Sequence, residues 1–268
     1  MFERVKEKVA AVHAPPALAE TMTVSEDGWL EGPNVVRLPS PRRSRLTSQA
    51  PSGEPAPIGV CWHWTGGVCR RGYAARLAQK ISTYDPKKDR AASWHVVISK
   101  QGWVYQSVPF EIGSWHCAVG TVRDDRGHAH RVNRSLVGIE LENAGRLKYL
   151  DGYWLCHPYW KQNSQGGYVE DELNRVADKK LAVEPERMQL ARGKGAFDGF
   201  PEAQVLAAGF VLHALAERYA LSPTRCGFLH GDFDRRKEDA GPLWRTLLVD
   251  VYERAGLDPA VLTSGGHA

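Results

Sequence analysis

The chain predicts an α/β domain built on a central sheet. Two observations carry this. Short apolar runs of strand length recur at 58–65, 94–99, 103–108 and 136–142, the first and last alternating with a period of two. Among and after them lie stretches with helical spacing, at 72–82, 201–219 and 243–252. Strands alternating with helices pack best as layers around a shared sheet. Composition agrees: 268 residues, 43% hydrophobic, 25% charged and nine Trp make an ordinary globular chain. That length buries a large core without staples, and the aromatic content excludes disorder throughout.

Residues 1–12 have the pattern of one short amphipathic helix, ended by Pro15 and Pro16, within an N-terminal extension over 1–26. From Gly32 to Gly53 there is no acid, while Arg37, Arg42, Arg43 and Arg45 stand among Pro and Ser. This stretch reads as an extended, solvated arm lying on the domain as a tether. The core is expected to begin at Pro57. Ile58 to Thr65 reads as a strand with Cys61, His63 and Thr65 on one face and Val60, Trp62 and Trp64 on the other. Gly66-Gly67 breaks it. Tyr73, Leu77 and Ile81 then mark one helical stripe over Gly72 to Ser82. Trp94 to Ser99 and Trp103 to Val108 read as a hairpin turning at Lys100-Gln101-Gly102. In Leu136 to Glu142, Val137, Ile139 and Leu141 point one way, and Gly138, Glu140 and Glu142 the other.

Residues 144–200 read as an insertion with some helix. They hold Tyr153, Trp154, Tyr159 and Trp160, then a charged segment from Glu170 to Lys194. Core packing accounts for that aromatic cluster better than stacking on a ligand does. Pro201 suits the first position of a helix to Tyr219 that is apolar on most sides, hence buried. Gly227 to His230 reads as a strand end, and Leu243 to Tyr252 as a final amphipathic helix. Residues 261–268 form a tail.

Lys plus Arg number 35 against 31 acids, a net charge of +4. This suits an anionic polymer but falls short of a dedicated nucleic-acid binder. The Arg37–Arg45 arm lacks the interleaved aromatics that single-strand binding uses, so no nucleic-acid partner is expected. The five cysteines, Cys61, Cys69, Cys117, Cys156 and Cys226, include no CxxC pair. A reduced compartment at synthesis is the reading. Met1 to Val12 carries Glu3, Lys6, Glu7 and Lys8 and no apolar core of a secretory signal. The apolar run Val205 to Leu212 is too short to span a bilayer.

Among ten histidines, His63 and His230 are informative. His13, His128, His130 and His267 read as solvated, and His213 as a satisfied core residue. His63 ends a strand beside a glycine break, where sheets present ligands. His230 opens a loop with Asp232, Asp234 and Asp239, and with Lys237 two residues before Asp239. Two His and one carboxylate fill three positions of a tetrahedral zinc site. Spacing alone favours the blander account, an exposed polar loop and a strand histidine.

Five segments in order resemble the zinc-dependent N-acetylmuramoyl-L-alanine amidases, the group of AmpD, amidase-type phage lysins and peptidoglycan recognition proteins. These are Gly28-Trp-Leu-Glu-Gly with Leu38-Pro-Ser-Pro, and the strand ending His63-Trp-Thr. Next come Ser93-Trp-His-Val-Val-Ile with Gly102, Gln106 and Trp115-His116, then Asn133-Arg-Ser-Leu-Val-Gly-Ile-Glu. Last is His230 through Arg236-Lys-Glu-Asp-Ala-Gly-Pro. The matches span about 27–245 and leave 144–200 largely uncovered. The resemblance implies a central mixed β-sheet flanked by helices, the peptidoglycan-recognition-protein-like amidase fold, with a zinc site in a cleft on one face. It implies an amidase domain over 27–260. It also implies Zn²⁺ on His63, His230 and Asp239, with Glu140 as general base and Lys237 stabilising the transition state. Asp239 is preferred over Asp232 and Asp234 because Ala-Gly-Pro follows it. His63 and Glu140 each alternate with apolar neighbours, so both can face one cleft, and Lys237 and Asp239 share a side if their loop is extended. Trp115 and His116 are expected to contact substrate. Thr65 and His95 are further candidates, Thr65 matched by a capped strand end and His95 by a core role. Glu142 is expected to be solvated or salt-bridged.

The function expected is cleavage of peptidoglycan between the muramoyl lactyl group and L-alanine, with a cell-wall-degrading endolysin the favoured setting. Such a protein is cytoplasmic at synthesis and reaches the wall through a phage lysis or delivery system. The alternatives are a cytosolic AmpD-like enzyme recycling anhydro-muropeptides, and a peptidoglycan-binding protein without catalysis.

Overall fold

A computed structural model describes residues 21–50, 53–67, 72–83, 92–150, 152–156, 160–162, 168–170, 182–183, 185–191 and 194–264. Six strands make the central sheet: β1 (Val35–Arg37), β2 (Gly59–Trp64), β3 (Val96–Ile98), β4 (Val104–Gln106), β5 (Leu136–Leu141) and β6 (Phe228–Leu229). Their order is β6-β2-β5-β3-β4-β1. The β3–β4 hairpin is antiparallel and the other pairings are parallel, so the sheet is mixed as expected.

The alternation in the sequence sorts the two faces. Val60, Trp62, Val96, Ile98, Val137, Ile139 and Leu141 are buried against two helices, α2 (Glu202–Tyr219) and α3 (Gly241–Arg254). Trp62 is fully buried against Trp244, ring centroids 5.2 Å apart, and its indole N–H donates to the Cys226 carbonyl at 2.7 Å. The opposite face is only partly covered. Helix α1 (Tyr73–Ser82) lays Ala74, Ala75, Ala78 and Ile81 over Val97 and Tyr105. The β2–β5 end of that face carries His63 and Glu140.

The arm expected to be a solvated tether is built into the fold instead. Its Val35–Arg37 segment is the edge strand β1, paired in parallel with β4, and Leu38, Ser40 and Leu46 are buried. Buried Gln106 explains the attachment. Its amide accepts from Leu30 N–H at 2.6 Å and donates to the Gly28 and Val108 carbonyls at 3.0 and 3.1 Å. A buried amide is stable only when so satisfied. The core also begins earlier than Pro57, because Met22 and Leu30 belong to it and Thr23–Val24 pairs with Leu30–Glu31. The helix expected over 1–12 lies outside the described residues.

The insertion is a second sheet rather than partly helical. Arg146–Leu150, Tyr153–Leu155, Ala182–Val183, Met188–Ala191 and Gly195–Asp198 form five antiparallel strands, and Trp160–Gln162 pairs with Tyr168–Glu170. Among the described residues its only helical turn is Pro185–Arg187. Leu147, Cys156, Val183 and Ala196 form its small core, with Trp154 packed on it, as the core-packing account of Trp154 requires. The Asp151-Gly152 pair is the turn signal that could have revealed the first hairpin. Tyr159 and most of the charged segment lie outside the described residues. No described helix is long and apolar enough to cross a membrane.

Candidate active site

The register of β2 on β5 sets His63 level with Glu140, and neighbours in a parallel pair share a face. On the other side β6 pairs Leu229 with Trp62, which brings the next residue, His230, level with His63. His230 opens a short helical turn to Phe233, and the Gly231 N–H donates to the Asp239 carbonyl at 3.1 Å, drawing Asp239 back to the strand ends. The loop is therefore folded and does not take the extended form in which Lys237 and Asp239 would share a side. Lys237 donates its own N–H to Asp234 O at 2.8 Å, yet its side chain lines the same cleft.

Three donor atoms converge. His63 Nδ1 lies 3.1 Å from His230 Nδ1 and 3.1 Å from Asp239 Oδ2, and His230 Nδ1 is 2.9 Å from Asp239 Oδ2. A tetrahedral zinc with bonds of ~2.0–2.1 Å needs donors about 3.3 Å apart. Two imidazole nitrogens turned on one another beside a carboxylate are a cation's donor set, so the residues fit zinc. Burial pulls the His63 pKa down. Burial also acts against the charged form of His230, but Asp239 and Cys117 together outweigh this and raise its pKa to about 10. The two histidines hold Asp239 below the usual carboxylate range despite its burial. The rival carboxylates are occupied elsewhere. Asp232 accepts from Leu229 N–H and Arg245, and Asp234 pairs with Arg236.

The cleft above these donors is about 400 Å³, with Glu140 and Lys237 in its wall. Glu140 Oε2 is buried without a hydrogen-bond partner. Burial, and then the charge of Asp239, pushes its pKa well up. Thr65 lines the rim, and its hydroxyl also donates to the Asn143 carbonyl and accepts from the Asn143 N–H, both at 3.2 Å. It therefore both lines the cleft and caps the strand end.

His116 lies behind His63, its Nδ1 2.9 Å from His63 Nε2, and its ring also reaches the cleft. A partner on the second nitrogen fixes a ligand histidine's tautomer and orientation. The ring packs on Gly138, where a Cβ would come 2.4 Å from His116 Cγ. The His116 and Cys117 N–H groups both donate to Asn133 Oδ1, at 3.0 and 2.7 Å. Cys61, His63 and His116 form a second cluster of donors, which the spacing of Cys61 did not suggest. Burial pushes the Cys61 thiol well up, and Cys61 does not line the cleft.

Two expected substrate contacts lie elsewhere. His95 is fully buried outside the cleft lining. Its Nδ1 accepts from Gly138 N–H at 2.9 Å and from Ser114 Oγ at 3.0 Å, and its Nε2–H donates to Ile112 O at 2.8 Å. Burial lowers its pKa to about 4. It is the core histidine of the two readings. Trp115 sits on the surface, its indole N–H donating to Arg43 O at 3.1 Å and its ring under the Arg42 guanidinium. Glu142, expected to be solvated or salt-bridged, is buried and accepts from the Lys100 N–H at 3.2 Å. His128 is exposed as expected, whereas His130, also expected to be solvated, is largely covered; both contact Asp124 Oδ2 at 3.2 Å. His213, on α2, bonds Ala255 O at 3.1 Å as a satisfied residue should. Sequence reasoning missed Arg146 and Glu238, which line the cleft from the inserted sheet and the ligand loop. No local pattern links residues 92 positions apart.

Comparison with known proteins adds a family. The family model described as N-acetylmuramoyl-L-alanine amidase matches residues 53–242. No curated protein matches. Similar solved structures include the N-acetylmuramyl-L-alanine amidase AmiD from E. coli, in complex with anhydro-N-acetylmuramic acid-L-Ala-D-gamma-Glu-L-Lys. It is 19% identical over 89% of this chain and 66% of that one, TM-score 0.44. A mutant endolysin from Bacillus subtilis is 17% identical over 83% and 96%, TM-score 0.43. AmpD from Citrobacter freundii is 18% identical over 85% and 95%, TM-score 0.41. With the family model covering most of its length, and a mixed sheet presenting this cleft, the chain belongs to the N-acetylmuramoyl-L-alanine amidase family.

Proposed function

We propose that the chain is a zinc-dependent amidase that hydrolyses the bond between the muramoyl lactyl group and L-alanine, with the intact cell wall as its substrate. The observation that carries the reading is the convergence of His63, His230 and Asp239 beneath a cleft that Glu140 and Lys237 also line. Zinc, when bound there, supplies Lewis acidity, acidifying water and polarising a carbonyl. Glu140 Oε2, unpartnered and facing the cleft, takes the proton of the attacking water. The Lys237 ammonium faces the negative charge that develops on the carbonyl oxygen. Glu140 then returns its proton to the departing amine of L-alanine. His116 holds the His63 ring in place throughout.

The net charge of +4 supports an anionic wall as substrate, reached from the cytoplasm through a lysis or delivery system. A second reading, recycling of soluble anhydro-muropeptides, draws on the AmpD-like arm that supplies β1. A protein that only binds peptidoglycan is disfavoured by the presence together of the donors His63, His230 and Asp239 and of Glu140 and Lys237 in the cleft lining. The test offers the zinc-loaded protein intact sacculi and soluble anhydro-muropeptides in parallel. Mass spectrometry should find stem peptides beginning at L-alanine, released faster from sacculi. Glu140→Gln should keep zinc and lose roughly 10²–10⁴-fold in rate. Wild-type rates in that variant would remove Glu140 from the mechanism, and binding without cleavage would make the chain a recognition protein.

A further inference from the structure

The loop that carries Lys237 and Asp239 is gripped by the inserted sheet. Glu238, between those two residues, accepts from Arg146 Nε at 2.9 Å and from Arg146 Nη2. The third guanidinium nitrogen, Nη1, donates to Lys194 O at 2.6 Å, and the guanidinium lies 4.8 Å from the Phe197 ring centroid. The insertion thus holds the guanidinium at Nη1 and on one face, Arg146 and Phe197 being paired neighbours on adjacent strands, and leaves Nε and Nη2 to Glu238. Both partners are about three-quarters shielded, with 28% and 21% of their side chains exposed. A bidentate pair in that setting holds geometry better than an exposed one.

Packing reinforces the grip. Trp64, at the end of β2, is slotted between Gly145 and Gly241. A Cβ at Gly145 would lie 2.9 Å from its ring, and one at Gly241 2.3 Å. Gly145 precedes Arg146, and Gly241 follows Asp239 by two residues, so one indole separates insertion from ligand loop. Both glycines also have positive φ, 75° and 80°, which a side chain would strain.

We propose that the Arg146–Glu238 pair, seated on this joint, is a positioning clamp that holds Asp239 on the metal and Lys237 in the cleft. The insertion is then part of the site. Arg146 and Glu238 are positioning residues, acting through their neighbours. The proposal rests on the zinc-amidase reading.

The experiment uses the full chain with Arg146→Gln, Glu238→Gln, the double variant and Arg146→Lys. Zinc affinity is read by competition with a chromophoric chelator, cleavage as kcat and KM, and loop order by hydrogen exchange over residues 234–241. Each Gln variant should bind zinc roughly 10-fold or more weakly, lose kcat with KM held within about twofold, and exchange faster across that segment. The double variant should be no worse than the worse single, because the pair acts as a unit. Arg146→Lys, which keeps charge but loses the fork, should fall between. Folded variants with zinc affinity and kcat within about twofold of wild type would overturn the clamp. So would additive losses, or a lower Tm with zinc affinity unchanged. A wild-type chain that neither binds zinc nor cleaves would instead sink the zinc-amidase reading, and the clamp with it.

Discussion

Gly138 shows how one position controls the site. It sits level with Cys61 on β2, and the His116 ring fills the space its side chain would take. Gly138→Ala must displace that ring, and with it the contact to His63 Nε2. Overpacking of this kind costs about 1–3 kcal/mol. The expected outcome is a lower Tm together with weaker zinc binding by chelator competition; a lower Tm alone would mean the His116 contact does not orient the ligand. Glu142, two residues past Glu140, gives a pH effect away from the metal donors. Burial lifts its pKa to about 7, the Lys100 amide and charge opposing only in part. Above the unfolded value of ~4.3 the unfolded chain releases this proton while the folded chain keeps it. Stability therefore falls as pH rises from about 4.5 to about 7 and then levels, by ~3 kcal/mol in all. Glu142→Gln should melt increasingly above wild type across that window. A gap in Tm that stays constant from pH 4.5 to 8 would refute the assignment.

At the scale of elements, the inserted sheet docks through Asp198, which is fully buried. Its carboxylate accepts from Arg187 Nε and Nη2 at 3.0 and 2.6 Å and from Ala144 N–H at 2.8 Å, and Lys100 Nζ lies 3.1 Å away. Asn143 adds a side-chain bond to the Asp198 carbonyl at 2.8 Å. Removing one member of a buried ionic cluster costs about 3–5 kcal/mol, because the remaining charges lose their counterion. Asp198→Ala should therefore lower Tm by roughly 10 °C, at ~2–4 °C per kcal/mol for a chain of this size. A loss under ~2 °C by calorimetry would show that the sheet is held by packing alone. In the central sheet β2 and β5 were legible by alternation and β3–β4 by their apolar runs around a turn, whereas β1, short and set among Arg, Pro and Ser, was not. The insertion was misread because its strands are short and its small core draws on Leu147, Cys156, Val183 and Ala196, which lie far apart in sequence.

For the whole molecule, a metal held by these donors would couple the site to stability. His63 and Asp239 come from opposite ends of the domain, 176 residues apart, so a cation binding both is bound by the folded chain alone. Zinc at about 100 times its Kd should stabilise by ~2.7 kcal/mol, raising Tm by about 5–10 °C. Chelation should reverse that shift, and His63→Ala should abolish it. Equal melting with and without zinc in the wild type would argue against a metal bound by the native fold.

Every central strand but β1, the buried helices and the faces of β2 and β5 could be read from residue spacing, since period and burial are local properties of a strand or helix. Ordered segments then named His63, Glu140, His230, Lys237 and Asp239. What those residues do to one another follows from pairings made in three dimensions. The parallel register of β6, β2 and β5 makes His230, His63 and Glu140 neighbours. His95 is satisfied in the core, and Trp115 is turned to the surface. Arg146 reaches Glu238 across 92 residues. Such pairings depend on register and on how loops close between elements, which the identity of a residue and of its neighbours in sequence does not encode.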